Sequence, residues 1–310
     1  MGRALAAASP AAAAVFEAAD AALGEALSRL AWDGPEDQLN RTEQAQPALL
    51  ATSIAFLEAI RARAAAVGFE PPAAAFMAGH SMGQYSALVA AGVVRLADGI
   101  RLVRERGRQM QASGAGREGA MAAILGLDEA AIPELVSQAS AHGVFGIANR
   151  NAPGQVVVSG ERAAIDAAAE LAKALGARRA IVLPVSVAAH SPLMAEAAEG
   201  MRRILAEVEF RDPQVPLLAN ADARPLTTGE ACRAELVEHL TTGVDWVRAV
   251  ETMAAAGVDT FVELGPGKVL TNLIKRIAPE ATAHAVDDPA ADGGLAMPPT
   301  PSPAISIPAT

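Results

Sequence analysis

Apolar residues recur at helical spacing over three long stretches near the start of the chain. This period predicts helices from Ser9 to Ala31, from Pro47 to Val67 and from Asp98 to Met110, with Pro10 in the first turn of the first helix. The polar segment WDGPEDQLNRTEQAQP joins the first two helices and is typical of a loop. The first third of the chain is therefore expected to be mainly helical.

The segment between the second and third helices follows a different pattern. PPAAAFMAG begins with prolines, is apolar in its centre and ends with a glycine, which predicts a buried parallel strand. MGQYSALVAAG then predicts a helix that ends at Gly92. Ser81 lies between the two, at a strand-to-helix turn.

From residue 120 onward, short apolar runs alternate with amphipathic stretches. The predicted order is strand, helix, strand, strand, helix, strand, in the segments AMAAILGL, DEAAIPELVSQASAH, VFGIAN, QVVVSG, ERAAIDAAAELAKALG and RRAIVLPVSV. This βαββαβ order is typical of a ferredoxin-like domain. After His190 the pattern predicts a helix over residues 192–208, strands in PQVPLLANA and DTFVELG, and a helix in KVLTNLIKRI.

These elements predict an α/β fold in which a small domain is inserted into a larger one. We assign residues 1–116 and 188–287 to the large α/β domain and residues 117–187 to the ferredoxin-like small domain. Residues 288–310 are rich in proline and small residues without a helical period, so we expect a disordered tail.

Composition narrows the class of protein. The 310 residues are 52% hydrophobic, dominated by alanine, with 3% aromatic residues, which favours a helix-rich α/β protein. The single cysteine, Cys232, excludes an internal disulfide and suits a reducing compartment. No apolar run is long enough to span a bilayer, and the first residues do not form a signal peptide, so we expect a cytoplasmic protein.

The net charge of −10 argues against broad nucleic-acid binding. Arginines nevertheless cluster in RLVRERGRQM, and basic residues again in LIKRIAPE, where an acidic partner or a phosphate could bind.

The pentapeptide Gly79-His80-Ser81-Met82-Gly83 fits the G-x-S-x-G pattern of a nucleophile elbow. In that arrangement the serine hydroxyl stands at a helix start, where backbone N–H groups favour a developing negative charge. Ser81 is thus a candidate nucleophile, and the Met82 amide a candidate oxyanion donor. The alternative is a Gly-Ser turn selected for packing alone.

A serine nucleophile needs a base, and His190 is the best placed of the five histidines. It follows an apolar strand, and HSPL then opens a helix, with Ser191 as N-cap. The alternative is that His190 has only a structural role in the loop that caps this helix. No acidic residue is an obvious third triad member, so a main-chain carbonyl is the remaining candidate for orienting the imidazole.

Arg106 lies in the arginine-rich helix after the elbow. A guanidinium can hold a planar carboxylate with two parallel N–H bonds, so Arg106 is a candidate substrate clamp. The competing interpretation is that the five arginines from Arg95 to Arg108 are solvated surface charges.

Seven segments together resemble one enzyme family: GPEDQLNRTEQAQPALL, GHSMGQYSALVAAG, VRLVRERGRQMQ, GAMAAILGL, NAPGQVVVSG, LPVSVAAHSPLM and FVELGPGKVLTNLIKRI. They are similar to malonyl-CoA:acyl-carrier-protein transacylases of type II fatty acid synthesis, in order, over roughly residues 1–287. The resemblance implies an α/β-hydrolase-like large domain with an inserted ferredoxin-like small domain.

The resemblance also implies an activity. Malonyl-CoA would be the substrate, and the malonyl group would pass through a serine ester to the phosphopantetheine thiol of acyl carrier protein, in a ping-pong mechanism. No permanently bound cofactor and no metal are implied, and we expect a monomer with neither nucleic acid nor membrane as partner.

The family's functional positions transfer to this sequence by matching motifs. The residues so implied are the nucleophile Ser81, its base His190, the oxyanion donor Met82 (backbone), the substrate-binding Arg106, Asn151 and Gln155, and His239, whose carbonyl would orient the base.

Three features depart from the family pattern. Family members begin with a strand and a PGQGSQ loop, whose first glutamine donates the second oxyanion-hole bond, and this sequence starts just after that point. Gln84 replaces a usual glutamate, and His239 stands where a glutamine is common. The alternatives are therefore a truncated, weakly active or inactive homologue that binds carrier protein, and a related acyltransferase with a different acyl group. A serine hydrolase is disfavoured because Arg106 would lack a role.

Overall fold

The computed structural model describes residues 1–66, 68–70, 73–114, 118–185 and 187–286. Several sequence predictions fall outside these ranges. They are the end of the second helix at Val67, the prolines at 71 and 72, the domain boundary at 116/117 and the disordered tail over 288–310.

The N-terminal part is helical. Its helices are α1 (Arg3–Ala8), α2 (Pro10–Leu23), α3 (Leu27–Asp33), α4 (Glu36–Leu39), α5 (Thr42–Ala66), α6 (Gly83–Ala90) and α7 (Leu96–Ser113). Their apolar faces meet in one large cluster that includes the fully buried Phe16, Leu50 and Leu88. In the ranges described, no helix is long and apolar enough to cross a membrane.

Two predictions in this region were wrong. The helix expected over 9–31 breaks at Gly24, which adopts a left-handed φ of 67° that glycine tolerates best. The Asp20 carboxylate then accepts hydrogen bonds from the backbone N–H and the hydroxyl of Ser28, in the first turn of the next helix. The predicted loop contains α4 and the start of α5, so Pro47 lies inside a helix rather than at its start.

The middle of the chain has the element order that the alternation predicts. Its elements are β1 (Gly119–Leu125), α8 (Ile132–Ala139), β2 (Phe145–Ala152), β3 (Gln155–Glu161), α9 (Arg162–Ala174) and β4 (Arg179–Val182). The strands lie in the order β4-β1-β3-β2, with β1 antiparallel to both β3 and β4 and β2 antiparallel to β3. Both helices pack on the sheet around a separate apolar cluster that includes Ile124, Leu135 and Ile165.

The last described part alternates helices with short strands. Its elements are α10 (Ala195–Ala206), β5 (Leu217–Leu218), β6 (Pro225–Leu226), α11 (Gly229–Thr242), β7 (Val244–Asp245), α12 (Trp246–Ala255), β8 (Thr260–Leu264), α13 (Val269–Ile277) and β9 (Thr282–Val286). Strand β7 pairs in parallel with β2 and extends that sheet to five strands, whereas β8 and β9 form a parallel pair. The structure is thus an α/β fold.

The strand predicted just before Ser81 is much shorter than expected. Among its described residues only Met77 pairs, through a parallel bridge to Leu217, and its N–H donates to Pro216 O at 3.0 Å. The strand expected over 213–221 is likewise reduced to the two residues of β5, which pair antiparallel with β6. Prolines at 213 and 216 carry no backbone N–H, so they cannot donate to a longer ladder.

A substitution at Ile165 tests the packing of the apolar cluster between the β1–β4 sheet and its two helices. The side chain is fully buried, so Ile165→Ala is expected to lower the free energy of unfolding by about 2–5 kcal/mol. Glu170→Ala, at an exposed position of the same helix, is the matched control and is expected to change it by less than about 0.5 kcal/mol. Urea denaturation measures both, and equal stability of the two variants would contradict this packing.

Candidate active site

Ser81 occupies a strained turn directly before α6. Its φ of 53° lies in the left-handed region, which non-glycine residues rarely adopt. The turn is also too tight for a side chain at Gly79, because a Cβ there would lie 2.0 Å from the backbone carbonyl of Gly83. This geometry is that of a nucleophile elbow.

Asn220 holds this turn from the neighbouring segment. Its side-chain oxygen accepts the Ser81 N–H at 2.8 Å, and its amide nitrogen donates to Gly79 O at 3.1 Å. The residue is buried, so its bond to Gly79 O is shielded from water and its bond to Ser81 N is partly shielded. Sequence reasoning missed Asn220, although a polar residue directly after the apolar run PLLA is a signal that could have pointed to it.

The imidazole of His190 lies against the nucleophile. Its Nε2 is 2.8 Å from Ser81 Oγ, and its Nδ1 donates to the main-chain carbonyl of His239 at 2.7 Å. A carbonyl only accepts, so the proton is on Nδ1 and the lone pair of Nε2 faces the serine hydroxyl. His190 can therefore accept the proton of Ser81.

The surroundings keep His190 in the neutral form. Burial, together with the neighbouring His239 and the Arg106 cation, holds the pKa of His190 well below its usual value. The acceptor carbonyl belongs to the last turn of α11, whose negative dipole end favours the imidazolium once a proton arrives.

Arg106 is the largest fully buried side chain of the described residues, with 1% exposure. Its Nη2 donates to Ser81 Oγ at 3.0 Å and its Nη1 to the side-chain oxygen of Gln46 at 2.8 Å, while Nε has no protein partner. Burial lowers the pKa of Arg106, but an arginine still remains protonated. A buried cation with an unused N–H beside the nucleophile can bind an anionic group.

The other arginines of this helix have different surroundings. Arg95, Arg101 and Arg108 are exposed and pair with nearby Asp98 or Glu105. Arg104 is buried, but Glu25 and the side-chain oxygen of Gln44 accept its N–H bonds. Three of the five arginines are thus surface charges, as the competing interpretation expected. Of the five, only Arg106 contacts the nucleophile.

Met82 is the N-cap residue of α6. Its N–H donates to no protein acceptor in the described chain, whereas the three following amides bond His80 O, Ser81 O and Met82 O. An unpaired amide at the first turn of a helix can stabilise negative charge on an oxygen next to Ser81.

Asn151 and Gln155, the two residues of the β1–β4 sheet that were expected to bind substrate, lie in different surroundings. Asn151, at the end of β2, accepts a hydrogen bond from His80 Nε2 at 2.8 Å and so adjoins the nucleophile turn. Gln155 instead accepts a hydrogen bond from Arg276, which also binds Pro153 O. No described hydrogen bond brings Gln155 to Ser81, and its role in substrate binding stays a prediction.

Two further residues that sequence reasoning missed lie around Arg106. Gln46 fixes one end of the guanidinium, as described above. Glu235 is the one acidic side chain among the described residues that is fully buried, and it lies beside His239 rather than against His190. Neither carries a local signal, because a polar residue on a helix is most often exposed.

Comparison with known proteins assigns the chain to a family. The family described as "Acyl transferase domain" matches residues 1–289. The chain is 46% identical over 276 residues to the malonyl CoA-acyl carrier protein transacylase of Escherichia coli K12, covering 89% of this chain and 87% of that protein.

Solved structures agree with this assignment. The acyl-carrier-protein S-malonyltransferase of Bartonella henselae superposes with a TM-score of 0.89 at 43% identity, covering 93% of this chain and 91% of that one. A malonyl-transacylase in complex with its type II PKS acyl-carrier protein superposes with a TM-score of 0.88 at 41% identity, covering 96% and 94%. The chain therefore belongs to the acyl transferase family, among the malonyl-CoA–acyl carrier protein transacylases.

Proposed function

We propose that this protein transfers a malonyl group from malonyl-CoA to the phosphopantetheine thiol of an acyl carrier protein. The observation that carries the proposal is the buried Arg106 guanidinium, 3.0 Å from the Ser81 hydroxyl. A plain acyl chain would leave this cation without a partner, whereas the free carboxylate of a malonyl thioester would pair with it. The names of the relatives support the same substrate.

The first half-reaction forms a serine ester. Ser81 Oγ attacks the thioester carbon while its proton passes to Nε2 of His190. The oxyanion that forms lies near the amide of Met82, which stabilises it. When the intermediate collapses, the carbon–sulfur bond breaks, and the imidazolium returns its proton to the sulfur of coenzyme A.

The second half-reaction runs through the same groups. The carrier-protein thiol gives its proton to His190 and attacks the ester, and the alkoxide of Ser81 leaves and takes that proton back. Arg106 keeps the malonyl carboxylate in place throughout, so the acyl group stays oriented toward the incoming thiol.

We also propose the finer fold assignment. Residues 117–187 would form a ferredoxin-like domain inserted into an α/β-hydrolase-like domain, which the strand order β4-β1-β3-β2 and the separate apolar cluster over 120–180 support. The bond from His80 to Asn151 joins the two parts at the nucleophile. A cytoplasmic location stays a prediction from composition.

Intact mass spectrometry tests the serine ester. Protein mixed with malonyl-CoA is expected to gain one malonyl group, and Ser81→Ala is expected to gain none because it lacks the attacking oxygen. Ser86→Ala is the matched control, since that hydroxyl lies on the following helix and forms no hydrogen bond with any described residue. An adduct that persists in Ser81→Ala would overturn the mechanism.

Arg106→Ala tests the carboxylate clamp. We expect kcat/KM for malonyl-CoA to fall by about 10²–10³-fold, and that for acetyl-CoA, which has no carboxylate, to fall much less. Arg108→Ala, an exposed arginine on the same helix, is expected to leave both donors nearly unaffected. Equal losses on the two donors in Arg106→Ala would remove the argument for a carboxylated substrate.

The pH profile of acylation tests the state of His190. The neutral imidazole is the active form, and its pKa is lowered, so protonation becomes significant only below the usual histidine range. The acylation rate is therefore expected to stay constant as the pH falls through about 6.5 and to decline only at lower pH. A half-maximal rate at or above that value, with the fold intact by circular dichroism, contradicts the assignment.

A further inference from the structure

Helix α11 carries a buried acid–histidine pair that the mechanism above does not use. Glu235 and His239 are four residues apart, so they lie on one face of the helix, and their exposures are 2% and 0%. Nδ1 of His239 lies 3.1 Å from the main-chain oxygen of Glu235 and 3.4 Å from its carboxylate. Both neighbours only accept hydrogen bonds, so the proton of the His239 ring is on Nδ1.

The opposite edge of the His239 ring faces the carboxylate clamp. With the proton on Nδ1, the lone pair of Nε2 points outward, and it lies 3.5 Å from Nη2 of Arg106. This weak bond limits the movement of the same guanidinium nitrogen that bonds Ser81. The main-chain oxygen of Glu235 accepts the Nδ1 proton and its carboxylate lies 3.4 Å from the same nitrogen, so both favour the tautomer in which an acceptor rather than a donor faces Arg106.

The carboxylate of Glu235 has a second connection, to the nucleophile turn. Its Oε1 accepts the backbone N–H of Asn220 at 2.9 Å. Asn220 in turn holds both Ser81 N and Gly79 O with its side-chain amide. The Glu235 carboxylate therefore contacts both Asn220, which shapes the elbow, and His239, which lies against Arg106.

This carboxylate is not explained by fold stability alone. The other oxygen, Oε2, is buried and has no hydrogen-bond partner among the described residues, and a buried charge of this kind costs several kcal/mol unless other charges compensate it. The compensating charge in this cluster is the Arg106 cation. The two act in opposite directions on Tyr85, whose pKa burial and Glu235 raise and Arg106 lowers.

We propose that Glu235 is a positioning residue for both halves of the site: it orients the carboxylate clamp through His239 and the nucleophile turn through Asn220. This inference rests on the proposed function. It makes the preference for a carboxylated acyl group depend on a residue that does not touch the substrate.

Four variants separate the two connections of Glu235, one to the clamp through His239 and one to the nucleophile turn through Asn220. His239→Leu removes the acceptor that faces Arg106 but keeps the main-chain carbonyl that orients His190. Asn220→Ala removes the support of the elbow alone. Glu235→Leu removes both connections, and Glu235→Gln keeps an oxygen that can accept the Asn220 N–H while it removes the charge. Steady-state kinetics with malonyl-CoA and acetyl-CoA then give kcat and KM for each variant.

His239→Leu is expected to lower kcat/KM about tenfold more for malonyl-CoA than for acetyl-CoA, mainly through KM, because only the clamp is disturbed. Asn220→Ala is expected to lower kcat by a similar factor on both donors. Glu235→Leu should show both effects, and Glu235→Gln should recover most of kcat but not the malonyl preference. If the Glu235 variants lose thermal stability but keep wild-type kcat and donor preference, Glu235 is structural only and the proposal is wrong.

Failure of the proposed function has a different signature. In that case the wild-type protein forms no acyl adduct with either donor. The inference about Glu235 is then decided by nitrogen NMR of the imidazole rings, which needs no turnover. His239 is expected to be protonated on Nδ1 in the wild type and to stay so in Glu235→Gln, which keeps the main-chain acceptor, while its Nδ1 resonance shifts because the carboxylate charge 3.4 Å away is lost; an unchanged resonance overturns the link. The same spectrum decides the case if Glu235→Leu does not fold.

Discussion

The site depends on the burial of one cation, the guanidinium of Arg106, beside the nucleophile. A buried charge is costly unless it is paired, and in the described residues its N–H groups meet neutral acceptors, Gln46, Ser81 and His239. The Glu235 carboxylate offsets part of this charge but accepts no hydrogen bond from Arg106 in the described structure, so the cation can still attract an anion beside Ser81, where the proposed mechanism places the acyl group. The same charge helps to keep His190 unprotonated, so in the proposed mechanism one interaction serves both substrate choice and base catalysis.

The base is oriented without an acid in direct contact. A main-chain carbonyl in the last turn of α11 fixes the tautomer of His190. The buried acid, Glu235, lies beside the side chain of His239 and not beside His190. A carboxylate bonded to the imidazole would raise its pKa and partly cancel the field of Arg106. The carbonyl gives the orientation and leaves the anion-binding charge of the site intact.

Local patterns in the sequence were sufficient for features that depend on near neighbours. The glycines around Ser81 predicted a tight turn because no side chain fits at Gly79, and the alternation after residue 120 predicted the order of β1 to β4. The strand before Ser81 was overpredicted, because an apolar run reports burial but not how far a neighbouring strand extends. The helix break at Gly24 was missed for a related reason: it depends on how the Asp20 carboxylate caps the next helix.

The sequence by itself determined the nucleophile elbow, the candidate base and an arginine-rich helix. Only the tertiary structure decided which of five arginines is buried at Ser81, and that Gln46, Asn220 and Glu235 complete the site. Helical periodicity shows that one face of a helix is buried, but not which residues from distant segments meet there. The bond between Arg106 and Gln46 joins positions 60 residues apart, the bond between Ser81 and Asn220 joins positions 139 apart, and both form only when these segments pack together.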